Sequence, residues 1–184
     1  MNYIPNIISG LRILLIPIFA YFLLHLKFEI ALFIFFIMGL SDVFDGLIAR
    51  YLKCETLVGS YLDAVADKIM INITLYLLYD ANIIPVYIII VVLARDIIMS
   101  IGVIYKIRGN KKISIKPIFS SKINTFLQIV LIIYCLLYLN NFIKLNYLQD
   151  FINVVIFTTI FSGVEYVYCY QMNKISRKTK IQKI

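Results

Sequence analysis

Six apolar runs, each close to the length needed to cross a bilayer, follow one another through this chain: residues 8–26, 29–51, 59–79, 84–105, 118–139 and 149–171. About twenty residues of helix span the hydrocarbon core of a membrane, and inside that core a helix satisfies its own backbone hydrogen bonds. The pattern predicts an all-α polytopic membrane protein with six transmembrane helices. Composition agrees, because 62% of the residues are hydrophobic where soluble domains hold about half.

The basic residues orient this array. The formal charge of +8 would suggest nucleic acid in a soluble protein, but here it sits between and after the apolar runs with no recognition motif, so nucleic acid is not an expected partner. Lysine and arginine accumulate on the cytoplasmic side of membranes. With both termini inside, twelve of the eighteen basic residues fall there and only Lys27 and Lys144 fall opposite. Arg12, Lys68, Arg95 and Lys122 lie within the spans. The basic tail from Lys174 onward is expected to rest against anionic headgroups.

Smaller features add little to this frame. MNYIPNIISG lacks the basic start of a signal peptide, so the first run is expected to be retained. Residues 2–6 read as an interfacial entry, Pro17 as a potential kink, and Tyr105 to Pro117 as a polar loop or surface helix. No domain boundary is visible, which predicts a single domain over 1–184. Cys54, Cys135 and Cys169 share no ligand spacing and are odd in number, so they are expected to fill apolar space. His25, alone in a loop, receives no role.

Chemistry concentrates between Asp42 and Asp67. Asp42 and Asp45 are three residues apart, and Asp63 and Asp67 four, so on helices each pair shares one face. Carboxylates in hydrocarbon are costly and turn toward partners, water or an ion path. Hard oxygen donors of this kind suit magnesium or manganese. Gly46 follows Asp42 by one turn, Ala49 follows Asp45, and Gly59 precedes Asp63. Such small residues serve helix packing or, beside acidic ligands, the close approach of a phosphate or nucleotide. Arg50 stands at the membrane edge. Read alone, the acidic pairs also fit a cation transporter or a prenyl diphosphate transferase.

The full pattern, Asp42-x-x-Asp45-Gly46-x-x-Ala49-Arg50, eight residues, Gly59-x-x-x-Asp63-x-x-x-Asp67, resembles the signature of the CDP-alcohol phosphatidyltransferases at every defined position. The resemblance implies six transmembrane helices, a homodimer, and transfer of a substituted phosphate from a CDP-linked donor to an alcohol with release of CMP. It implies that Asp42, Asp45, Asp63 and Asp67 hold Mg2+ or Mn2+, that Asp67 is the base for the acceptor hydroxyl, and that Gly46, Ala49, Arg50 and Gly59 contact the CDP moiety. The active site is then expected at the cytoplasmic ends of spans two and three.

Other in-span charges extend the expected site. Arg95 and Lys122 are candidates for phosphate or acceptor binding, with Arg12 a weaker one. Arg95 and Asp96 are sequence neighbours about 100° apart on a helix, so they need not pair. Lys68 is expected to offset the carboxylates or snorkel. Glu165 has no sequence-adjacent partner, and the sequon at Asn72 is a chance match within a span.

The opening Ile4-Pro5-Asn6-Ile7-Ile8-Ser9-Gly10-Leu11-Arg12 is similar to two subfamilies, the phosphatidylglycerophosphate synthases and the CMP-forming cardiolipin synthases. The stretches Leu93-Ala94-Arg95-Asp96-Ile97 and Lys116 to Gln128 resemble the second more closely. Span four of the first is expected to carry Arg-Glu where this chain has Arg95-Asp96. The implied donor is CDP-diacylglycerol. The implied acceptor is phosphatidylglycerol, with glycerol 3-phosphate as the alternative.

Overall fold

A computed structural model describes residues 4–52, 57–108, 119–144 and 146–181, with side chains placed for 14–41, 65–102, 119–144 and 146–169. Six helices and no strand occur among the described residues: α1 (Ile4–Leu24), α2 (Phe28–Leu52), α3 (Leu57–Asp80), α4 (Val86–Arg108), α5 (Phe119–Leu139) and α6 (Leu148–Ile181). Each predicted run is therefore helical. Residues 4–6 of the expected entry segment belong to α1, with Pro5 in the first turn, where its missing N–H costs nothing. Tyr105 to Arg108, the start of the segment expected as a polar loop or surface helix, belong to α4, and the rest of that segment lies outside the described residues. α6 continues past the predicted end at residue 171 to Ile181, so the start of the basic tail is helical.

Three of the connections close in the same way. Leu26, Asn82 and Asn141 have φ of 59°, 57° and 60°. At α1, Leu26 N–H donates to Leu23 O and Lys27 N–H to Phe22 O. At α3, Asn82 N–H donates to Tyr79 O and Ile83 N–H to Leu78 O. At α5, Asn141 N–H donates to Tyr138 O and Phe142 N–H to Leu137 O. This paired 5→2 and 6→1 pattern around one left-handed residue is the Schellman closure, which satisfies carbonyls the helix end leaves bare. Asparagine tolerates that conformation, and leucine adopts it only at a cost. His25 lies in the first of these turns, exposed, with Nδ1 2.8 Å from Tyr21 O.

The chain packs as two compact units. The first comprises residues 1–84 with 132–145, and the second 85–131 with 146–184. In the first unit α1 packs against both α2 and α3. Its buried stripe is Ile16, Phe19 and Leu23, met by Ala31, Phe35 and Met38 of α2 and by Leu75 and Leu78 of α3. These follow the three-and-four spacing of a helix face. The Phe19 and Phe35 rings stand 5.9 Å apart. Cys135 is buried here as a free thiol, as expected of an apolar filler.

The second unit is different in kind. α4 packs against α6, and the α6 stripe Ile152, Val155, Thr159, Ser162, Tyr166 keeps alternating steps of three and four, the phase of close helix pairing. Its buried residues include Arg95, Asn124, Gln128, Thr159 and Ser162. In the described part of the first unit only Thr74 is buried and polar, and its hydroxyl is bonded to Met70 O at 2.7 Å. The outer faces of both units are apolar, with Phe33 66%, Phe126 64% and Phe157 71% exposed. Large aromatic side chains left this open mark a contact surface for something apolar. Among the described residues, Phe119–Leu139 and Leu148–Cys169 are long and apolar enough to cross a membrane.

Candidate functional site

The acidic pairs lie on the helices the sequence assigns to them. Asp42, Asp45, Gly46, Ala49 and Arg50 occupy the last three turns of α2, and Gly59, Asp63 and Asp67 the first three of α3. Unbroken helix through both stretches puts each pair on one face. Only residues 53–56 separate the two helices. At 1.5 Å per residue, Asp45 and Asp63 each lie about 10 Å along their helix from that connection. The side chains of Asp42, Asp45, Ala49, Arg50 and Asp63, and the surroundings of Gly46 and Gly59, are outside what the structure describes, as is the side chain of Arg12. Asp67 is half-buried, between fully buried Ala66 and half-buried Lys68. One turn on, Asn72 Nδ2 donates to Lys68 O at 2.8 Å, so the sequon asparagine serves its own helix.

Among the described residues no group of three or more His, Cys, Asp or Glu side chains comes together, and Asp67 is the only one of the four aspartates in that set. The donor chemistry nevertheless fits a hard divalent ion: four carboxylates, paired by helical spacing on two consecutive helices, with Asp67 partly withdrawn from solvent.

The second unit gathers polar groups that the sequence keeps far apart. Arg95 on α4 is 6% exposed. Its Nη1 donates to Asp96 Oδ1 at 2.9 Å, and its Nη2 donates to Ser121 Oγ on α5 and to Ser162 Oγ on α6 at 3.3 Å. Arg95 and Asp96, which helix geometry does not oblige to pair, do pair, so each charge compensates the other. The long guanidinium arm reaches back to the adjacent carboxylate, which leaves both ions neutralised locally. Nε of Arg95 is buried and has no hydrogen-bond partner. Lys122, by contrast, is exposed on the first turn of α5.

Around this core Thr158 and Thr159 meet Asn124 Oδ1 at 3.1 and 2.8 Å, while the same hydroxyls reach Val155 O at 3.0 and 2.6 Å. Each threonine has a single proton to share between these acceptors, and the buried Asn124 Nδ2 has no partner. Glu165 is half-buried and its Oε2 is also without a partner. Ser121, Asn124, Thr159 and Ser162 received no role from the sequence. Their signal there is the recurrence of polar residues at core phase in otherwise apolar helices.

Comparison with known proteins places this arrangement. The model of the CDP-alcohol phosphatidyltransferase family matches residues 2–164. The chain belongs to that family. The match runs through both compact units, so the family domain includes the acidic helices and the Arg95 cluster together. Relatives include the proteins named cardiolipin synthase (CMP-forming) of Rattus norvegicus and Homo sapiens, each 33% identical over 183 residues, covering 90% of this chain and 60% of theirs. The chain therefore spans about 60% of the length of these curated relatives. A CDP-diacylglycerol–glycerol-3-phosphate 3-phosphatidyltransferase of Aquifex aeolicus is 30% identical over 155 residues, covering 83% of this chain and 84% of that one. Family members of both acceptor types are thus similar to it.

Proposed function

We propose that this chain is an integral-membrane phosphatidyltransferase that moves the phosphatidyl group of CDP-diacylglycerol to phosphatidylglycerol, forming cardiolipin and CMP. The observation that carries the reading is the complete aspartate, glycine and alanine pattern from Asp42 to Asp67, on two consecutive helices of a chain belonging to this family. For the acceptor, support comes from the 33% identity over 90% of the chain to proteins named cardiolipin synthase and from the Arg95-Asp96 sequence.

In the reaction the acceptor hydroxyl oxygen forms a bond to the β-phosphorus of the donor, the bond from that phosphorus to the CMP oxygen breaks, and the hydroxyl proton is lost. Asp67 takes that proton. Asp42, Asp45, Asp63 and Asp67 would hold Mg2+ or Mn2+, which when bound neutralises charge on the donor pyrophosphate. Gly46, Ala49 and Gly59 leave room for the nucleotide to lie against α2 and α3, and Arg50 meets its phosphates. Arg95 and Lys122 serve the acceptor side. The six helices span the membrane with both termini cytoplasmic, the basic tail rests on anionic lipid, and the protein works as a homodimer.

Purified protein given CDP-diacylglycerol, Mg2+ or Mn2+, and phosphatidylglycerol or glycerol 3-phosphate in separate reactions tests this. Cardiolipin and equimolar CMP in the first reaction are expected. Product with glycerol 3-phosphate alone makes the chain a phosphatidylglycerophosphate synthase, the second reading, favoured by relatives such as that of Aquifex aeolicus. Metal flux into liposomes without consumption of CDP-lipid would instead mark a transporter.

A further inference from the structure

Away from the acidic pairs, the first unit carries a second polar feature. The turn between α1 and α2 and the closing turn of α5 enclose a pocket of about 340 Å3, lined by Lys27, Glu29, Asn140 and Asn141 together with apolar Ile30 and Leu139. Glu29 and Asp45 stand sixteen positions apart on α2, about 24 Å at 1.5 Å per residue, so the pocket lies at the end of α2 remote from the acidic pairs. We propose that it holds the headgroup of a membrane phospholipid whose phosphodiester bears a primary ammonium, the chemistry of phosphatidylethanolamine. The proposal goes beyond the transferase reading, because it needs a bilayer around the helices and is indifferent to the acceptor.

The first observation behind it is a fixed amide. Asn140 Nδ2 donates to Phe28 O at 3.1 Å and to Leu136 O at 2.9 Å, and two carbonyl acceptors hold the nitrogen on that side. The other end of the amide, Oδ1, is buried without a hydrogen-bond partner. A buried acceptor of this kind calls for an incoming donor. The second observation is charge. Lys27 and Glu29 are both exposed at the pocket, and among the described residues they form no ion pair with each other. The Lys27 ammonium lies instead 5.9 Å from the centre of the Phe22 ring. One cation and one carboxylate, with no net charge, match a zwitterion better than a purely anionic group: phosphate meets Lys27 and ammonium meets Glu29. A primary ammonium has three N–H donors, enough to serve Glu29 and Asn140 Oδ1 together. The third observation is position. Ile30, 42% exposed and one place beyond Glu29, carries the lining from polar to apolar in the direction the acyl chains of that lipid would run.

Purified protein in detergent at low ionic strength is mixed with short-chain phosphatidylethanolamine, its mono- and dimethylated forms, phosphatidylcholine or phosphatidylglycerol, and bound lipid is counted by native mass spectrometry. Methylation removes the N–H donors one at a time and keeps the charge and the phosphate. Retention is expected to fall along the series, with phosphatidylethanolamine held about fivefold better than phosphatidylcholine, the scale of one exposed charge pair, and better than phosphatidylglycerol. Equal retention along the series, or a preference for phosphatidylglycerol, overturns the proposal and leaves the pocket to solvent.

Glu29→Gln then locates the site. This change at an exposed side chain should level the series, whereas Asp80→Asn, at the exposed end of α3, should leave it intact. A preference that survives Glu29→Gln, or that Asp80→Asn removes equally, places the headgroup elsewhere and overturns the proposal. Turnover of CDP-diacylglycerol is a separate readout: its absence removes the transferase reading and leaves the headgroup result standing.

Discussion

The Tyr166 ring on α6 stands where a side chain at Gly102 of α4 would begin. A Cβ built on Gly102 falls 2.7 Å from Tyr166 Cε1 and 2.9 Å from Cζ, and the hydroxyl of this 8% exposed tyrosine lies 3.4 Å from Met99 O. The α4–α6 pair thus closes over a glycine at this end and is held at Arg95 and Ser162 further along.

Gly102→Ala is therefore expected to destabilise the protein by about 1–3 kcal/mol, the usual cost of overpacking a fitted contact. Gly102→Ala combined with Tyr166→Leu should show a smaller loss than the two single changes added together. Thermal unfolding in detergent measures both. Additive losses would place the strain elsewhere.

A change in the opposite direction is expected at Leu26. Its φ of 59° costs a leucine roughly 1–2 kcal/mol, and the side chain, 73% exposed, contributes little packing. Leu26→Asn copies the residue found at the equivalent turns of α3 and α5, and should raise the unfolding temperature. Asn82→Ala should lower it. A loss on Leu26→Asn would mean that the leucine makes contacts worth more than its backbone strain.

The pairing of Arg95 with Asp96 predicts an order of effects. Asp96→Asn leaves a buried guanidinium without its counter-charge, at about 3–5 kcal/mol. Ser162→Ala removes one long hydrogen bond of 3.3 Å, at about 1 kcal/mol. The denaturation midpoints should fall in that order. Equal effects would show that the charge is compensated by another group.

For the acidic helices, Asp67→Asn keeps side-chain volume and removes the charge. CMP release should fall at least a hundredfold, consistent with the usual contribution of a positioned base, with the unfolding temperature within a few degrees of wild type. Chelation by EDTA should abolish turnover, and added Mg2+ or Mn2+ should restore it. Near-normal activity of Asp67→Asn would remove it both as base and as an essential ligand.

Much of this was legible from residue order because it is local. Apolar runs of about twenty residues mark where helices form, so every helix among the described residues was foreseen. Spacings of three and four fix a shared face as soon as the helix exists, so the pairing of Asp42 with Asp45 and of Asp63 with Asp67 followed directly. Helix ends were less legible: the closures at Leu26, Asn82 and Asn141 turn on a single positive φ, and Leu26 gives no compositional hint of one. The pairing of Arg95 with Asp96 was left open by residue order because helical geometry fixes where Cβ points and says nothing of where a long flexible arm ends.

Composition and spacing, acting within a few turns of helix, settled the all-α architecture, and with the aspartate pattern they led to the family. The partners of Arg95 are another matter. Ser121 and Ser162 lie 26 and 67 residues away along the chain, and no local rule brings three polar side chains on three helices to one point. Packing of α4 against α6 made that cluster, along with the contact between Gly102 and Tyr166, because burying a charge and fitting a ring depend on neighbours that only the folded chain supplies.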